Sequence, residues 1–109
     1  MKRIGMVIGL REDRISEYRA VHADDHPGVR DLLSSANMRN FSIFLERLPG
    51  GKPYLFGYYE YDGDDYEADM ARLAGEERNR EWLAMTDPMQ IPLPGQSGWK
   101  IMEQVYFNE

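Results

Sequence analysis

A chain of 109 residues, 42% hydrophobic and 12% aromatic, is long enough for one small folded unit and too rich in rings for a disordered one. Thirteen Lys plus Arg against nineteen Asp plus Glu give a net charge of −6 with no basic run, which argues against nucleic acid or an anionic membrane surface as a partner. With no cysteine, disulfides, thiolate metal sites and cysteine nucleophiles are excluded.

Met1 to Leu10 reads as a strand. Ile4, Met6, Ile8 and Leu10 share one face by the period of two, and Gly5, Val7 and Gly9 share the other. A face with two glycines leaves room for a close-packed helix or a ligand. The apolar run is too short for a secretory signal and no stretch approaches a membrane span, so the cytoplasm is the expected compartment. In "REDRISEYRAVH" the period changes: Ile15, Tyr18 and His22 fall on one helical face, with Asp13 as N-cap and an end near Ala23. Pro27 disfavours helical geometry at His26 and suits the first position of a second helix, whose stripe is Val29, Leu32, Leu33 and Ala36. Asp24 or Asp25 could bond to its free N–H groups, and Asn37 and Asn40 are natural stop or turn residues.

"FSIFLERL" and "PYLFGYYEY", separated by the turn "PGGK", form a hairpin, with Phe41, Ile43 and Leu45 on one side of its first strand. A helix follows, capped by Asp64 or Asp65, striped by Tyr66, Met70 and Leu73, and stopped at Gly75. "EERNREWLAMTDPM" is a further short helix ended by Pro88, "QIPLPGQSG" is a loop, and "WKIMEQVYFN" alternates Ile101, Val105 and Phe107 as a closing strand. The order is βαββαβ, an α+β ferredoxin-like plan with an antiparallel sheet, in one domain over residues 1–109. Helices cover one sheet face. The other, rich in aromatics, suits a second copy packed sheet on sheet, a homodimer of the dimeric α/β-barrel type.

His22 is the leading reactive side chain, since its ordinary pKa near ~6.5 suits proton transfer and Tyr18 lies one turn away. Spacing alone reads better as a histidine satisfied at a helix C-terminus. "HADDH" lacks a recognised ligand array, so no metal is expected; Asp24 and Asp25 read better as caps or solvated groups. Phe41, Tyr54, Tyr58, Tyr59, Trp82 and Trp99 suit a core or a dimer surface, and some could stack on a sugar. In "AMTDPM", Asp87 could hydrogen-bond sugar hydroxyls, orient an acid or base, or stabilise the turn before Pro88. Phosphate-loop and serine-elbow patterns are absent.

Through "EYRAVH", "PGVRDLLSSANMRNFSIFLE", "LFGYYEY", "WLAMTDPM" and "EQVYF" the chain resembles the L-rhamnose mutarotase family over nearly its whole length. The resemblance implies a dimeric ferredoxin-like enzyme that interconverts the α and β anomers of L-rhamnose or a related 6-deoxy hexose by acid–base ring opening, without cofactor or metal. It implies His22 as proton donor, Tyr18 as a sugar-binding tyrosine, and Phe41 at the place of a second one. Trp82 matches the second of two adjacent family tryptophans, with Glu81 in place of the first, and His26 stands where the family usually has tryptophan. "IPLPGQSG" replaces an "NPDNSP"-like loop. The general base is left among water, Asp87 and Glu81, and the preferred sugar is left open at the substituted positions. Two other classes remain beside this one: a dimeric α/β-barrel monooxygenase acting on heme or a quinol, and a non-catalytic ligand-binding or assembly module.

Overall fold

In the computed structural model, which describes residues 1–109, β1 (Lys2–Leu10) is the interior strand of an antiparallel sheet. On one side it pairs with β3 (Pro53–Tyr61), which pairs in turn with β2 (Met38–Arg47). On the other side lie two short strands, β4 (Gln90–Ile91) and β5 (Lys100–Met102). Helices α1 (Ile15–Val21), α2 (Arg30–Ser35), α3 (Tyr66–Gly75) and α4 (Glu77–Thr86) fill the two crossovers. The order β2-β3-β1 with the last strands on the other edge of β1 matches the βαββαβ plan, but β4 falls in "QIPLPGQSG", expected as a loop: Gln90 and Ile91 pair with Leu10 and Gly9 at the edge of β1 that the shortened closing strand leaves free.

The alternation of β1 and β3 sets the core. Ile4, Met6, Ile8 and Leu10 share a face with Leu55, Tyr59 and Tyr61. One cluster gathers Ile4, Met6, Ala36, Met38, Tyr59 and Tyr61; the other gathers Ile8, Leu10, Ile15, Tyr18, Leu55 and Met89. Gly57 lies on this face, and a Cβ there would come within 2.8 Å of the Met6 methyl, so its bare backbone lets Met6 and Trp99 approach the sheet. Asp69 on α3, only 8% exposed, accepts hydrogen bonds from Tyr61, Asn37 and Arg72, which ties α3 to the sheet.

Several boundaries differ from expectation for identifiable reasons. Asp13 does not cap α1. Its carboxylate takes both hydrogen bonds from Arg11, and a 3-10 turn over Glu12–Arg14 precedes the helix. Helix α2 starts at Arg30 rather than Pro27, because Gly28 has a left-handed φ of +56° that no helical start accepts. Asp24 pairs with Arg30 at 3.7 Å instead of capping. β2 begins three residues before Phe41: Asn37, at φ 65°, turns the chain straight out of α2, and Asn40, at φ 53°, sits in a bulge between Arg39 and Ser42. Of the two candidate caps for α3, Asp65 accepts from the Ala68 N–H at 3.1 Å.

The glycine-bearing face of β1 meets no helix; at Gly5 it borders a cavity of about 330 Å³ shared with Arg3, Tyr58, Gln104 and Phe107, so the C-terminal residues lie over this part of the sheet. Gly5 and Gly9 stand beside Tyr58 and Tyr54 of β3, and a Cβ on Gly9 would come within 2.7 Å of the Ile91 carbonyl of β4. The expected closing strand is also shorter. Its ladder ends at the Gly5–Met102 pair, and residues 103–109 leave the edge, exposed, with the Phe107 ring 3.4 Å from the Arg3 guanidinium. Alternation marks a segment fit for a strand, but a ladder also needs a free neighbouring edge. No helix is long and apolar enough to cross a membrane.

Candidate active site

A cavity of about 930 Å³ opens between the helix-covered face of the sheet and the helices. Its size suits a small organic ligand. α1 supplies Tyr18 and His22, one turn apart and therefore on the same face, their rings stacked with centroids 4.2 Å apart. His22 is the C-terminal flank of α1, and its Nδ1 lies 2.7 Å from the Tyr18 carbonyl oxygen. A carbonyl only accepts, so Nδ1 carries the hydrogen and, in the neutral ring, Nε2 is a bare acceptor. Burial holds the His22 pKa below its ordinary value against the opposing pull of the Tyr18 carbonyl, and the nearby Arg30 guanidinium acts in the same sense as burial. His22 therefore enters neutral pH as a base.

Trp82 of α4 meets His22 edge-on, ring centroids 5.1 Å apart, and His26 lies 6.0 Å from the same indole. The indole packs over Gly28, where a Cβ would stand 3.1 Å from the ring. This position needs glycine twice over, for its left-handed φ and for the contact. Gly28→Ala is expected to lower unfolding free energy by about 1–2 kcal/mol through the left-handed strain and to shift the Trp82 fluorescence maximum as the ring is displaced; an unchanged spectrum would contradict the packing described.

Phe41 of β2 stacks on Tyr59 of β3 at 5.1 Å and forms an apolar wall with Ile43, Leu45 and Leu55. The Arg30 guanidinium donates to the carbonyls of His22 and Ala23, both at 3.1 Å, and so holds the C-terminal end of α1. Tyr18 is 5% exposed, and its hydroxyl pKa is pushed up to about 12, chiefly by burial, with the nearby Asp87 charge acting in the same sense. It stays a neutral phenol at working pH. The Gln90 amide donates to its oxygen at 3.2 Å.

Of the seven site residues the resemblance and the motif pointed to, five line this cavity, Tyr18, His22, His26, Phe41 and Trp82, together with Tyr59 and Trp99 of the aromatic set. Glu81 and Asp87 do not line it, and both are exposed. Burial raises the Asp87 carboxyl above its ordinary value. His22 and His26 are not joined by carboxylates into a group of three or more that could hold a metal ion. Sequence reading missed Gln90, Arg30 and Asn79 as cavity residues. Asn79, 6% exposed, carried one usable signal, a small polar residue one turn before Trp82 on its helix. Gln90 carried none, since 72 positions separate it from Tyr18.

The family profile described as L-rhamnose mutarotase matches residues 3–107. The chain is 30% identical over 89 residues to an L-rhamnose mutarotase of Lactiplantibacillus plantarum, covering 82% of this chain and 80% of that one. It is 28% identical over 107 residues to one from Mannheimia succiniciproducens, with 98% of each chain covered. A crystal structure of an L-rhamnose mutarotase from Formosa agariphila superposes with a TM-score of 0.73 over the full length of both chains at 21% identity, a likeness of fold.

Proposed function

The chain belongs to the L-rhamnose mutarotase family, and on that premise we propose how its cavity interconverts the anomers of L-rhamnose or a related hexose. It is a sugar mutarotase, an aldose anomer isomerase. The observation that carries the mechanism is the Nδ1–carbonyl hydrogen bond of His22, which leaves Nε2 free in the cavity. Nε2 takes the proton of the anomeric O1–H. The C1–O5 bond breaks as the C1=O1 double bond forms, and the imidazolium returns the proton to O5. Rotation about C1–C2 presents the other aldehyde face, and the same steps in reverse close the ring as the other anomer. His22 is thus the acid toward the ring oxygen and also the base that precedes it. Glu81 and Asp87, outside the lining, are not needed as the base.

Tyr18 binds and orients a sugar hydroxyl, Trp82 offers a flat apolar surface, and His26 edges the pocket beside it. Phe41 carries no hydroxyl, and with Ile43 and Leu45 it suits the C6 methyl of a 6-deoxy hexose. The test is saturation-transfer NMR between the anomeric signals of L-rhamnose, L-fucose and D-galactose. Catalysed exchange is expected, strongest for a 6-deoxy sugar. Sugar contact without faster exchange would leave a binding module instead. The rate is expected to fall as pH drops through a midpoint below ~6.5, because protonation occupies Nε2. A midpoint above that value would contradict His22 as the resting base.

The homodimer is the reading that accounts best for the open sheet face. Phe44, 63% exposed, stands directly across from Phe56, flanked by Tyr54 and Tyr58 on β3. A second copy would cover this surface while leaving the cavity on the opposite face. Phe44→Asp is expected to shift the molar mass measured by light scattering from dimer to monomer; a monomeric parent protein would refute the association.

A further inference from the structure

We propose that Gln90 is a positioning residue for mutarotation: by donating its side-chain amide to the Tyr18 oxygen, it turns the Tyr18 O–H into the sugar cavity as a hydrogen-bond donor. The inference rests on the reading of the cavity as the mutarotase site. Gln90 belongs to β4 and is placed by its register opposite Leu10 of β1. Its Nε2 lies 3.2 Å from the Tyr18 oxygen, and both residues line the cavity. The Tyr18 ring is packed among Ile8, Leu10, Ile15, Leu55 and Met89, which offer its hydroxyl no polar side chain.

A phenol hydroxyl has one hydrogen and an oxygen that accepts. With Gln90 donating to that oxygen, the hydroxyl hydrogen turns to the side left open, which is the cavity. There it can donate to the oxygen that gathers charge as C1–O5 breaks, while His22 moves the proton itself. A donor already aimed at that position needs no reorientation during the reaction. Burial supports the role by keeping the phenol protonated. The titratable groups facing the pair are His22 on α1 and Asp87 at the end of α4; Arg19, Asp24, His26 and Arg30 border the same cavity. The surrounding β1 and β3 residues are apolar.

Gln90→Glu tests this directly. The introduced carboxylate keeps the length of the side chain but only accepts when ionised, so the Tyr18 O–H turns toward it and away from the sugar. Exchange of L-rhamnose anomers is expected to fall about tenfold or more above neutral pH. The ratio of variant to parent rate, each divided by the fraction of neutral His22 read from that protein's own imidazole NMR titration because the new charge also acts on His22, should rise toward one as pH is lowered and the carboxylate protonates. In a Tyr18→Phe background the same substitution is expected to change the rate by no more than about twofold, because the phenol through which it acts is gone. Gln90→Met, of similar length and without donor or acceptor, is expected to cost less and to give a ratio flat with pH. The inference is overturned if Gln90→Glu matches the parent at every pH, or loses activity equally with and without the phenol. If the parent protein exchanges none of the sugars, the enzyme reading falls and this inference with it. If the parent exchanges and Gln90→Glu matches its rate at every pH, only this inference falls.

Discussion

Replacing His22 by alanine is expected to reduce the catalysed part of anomer exchange by about 10²–10⁴-fold, the usual span for a positioned acid–base group. The large effect follows from geometry. The Tyr18 carbonyl oxygen lies 2.7 Å from Nδ1, so one ring nitrogen is fixed as the donor and the other is left an acceptor on a ring that lines the cavity. In the proposed mechanism a single nitrogen removes the O1 proton and returns it to O5, so its loss would take away both transfers and leave water as the substitute. Saturation-transfer NMR reads the rate directly, and added imidazole should restore part of it by diffusing into the space the ring left. Retention of the parent rate by His22→Ala would end the mechanism. His22→Gln, which can accept through its amide oxygen but cannot carry a proton, should be nearly as slow; if it were fast, the ring would be acting by orientation alone.

The second large effect is on stability. Ile8 is 1% exposed, faces Leu55 across the β1–β3 ladder, and packs with Leu10, Ile15, Tyr18 and Met89. Ile8→Ala is expected to lower the unfolding free energy by about 2–5 kcal/mol, combining lost burial with a cavity that its neighbours fill only partly. That is a large share of the ~5–15 kcal/mol that holds a typical domain together. Ile8→Val should cost only about 0.5–1.5 kcal/mol. Urea unfolding followed by circular dichroism measures both, and equal midpoints for the two variants would contradict the packing described. The cavity would also open beneath Tyr18, so the alanine variant should lose exchange activity below its unfolding midpoint, whereas the valine variant should keep it.

The pattern of residues determined much of this protein. The period of two in β1 and β3 selected their buried faces, because a strand half-covered by helices cannot hide a misplaced side chain. The spacing of Tyr18 and His22 placed both rings on one face of α1, since residues four apart on a helix are neighbours whatever surrounds them. The resemblance, which rests on local stretches such as "EYRAVH" and "WLAMTDPM", named the family that the wider comparisons show.

Other features were decided only by tertiary structure, because they depend on which segments become neighbours. The alternation in "WKIMEQVYFN" could not reveal that only Lys100–Met102 pairs along that stretch, since a ladder requires a partner edge as well as a pattern. By sequence Gly28 falls in the first turn of a helix begun at Pro27; its left-handed φ and its contact with Trp82 of α4 appear only in the folded chain. Asp13 fits a helix start by type and position, yet the neighbouring Arg11 guanidinium claimed its carboxylate. Glu81 and Asp87 sit in a motif that does reach the cavity, but the helical rotation that turns Trp82 inward leaves both of them outside the lining. Gln90 shows the limit most clearly. Nothing local distinguishes it from any other surface glutamine, and its contact with Tyr18 exists because β4 closes against the end of β1.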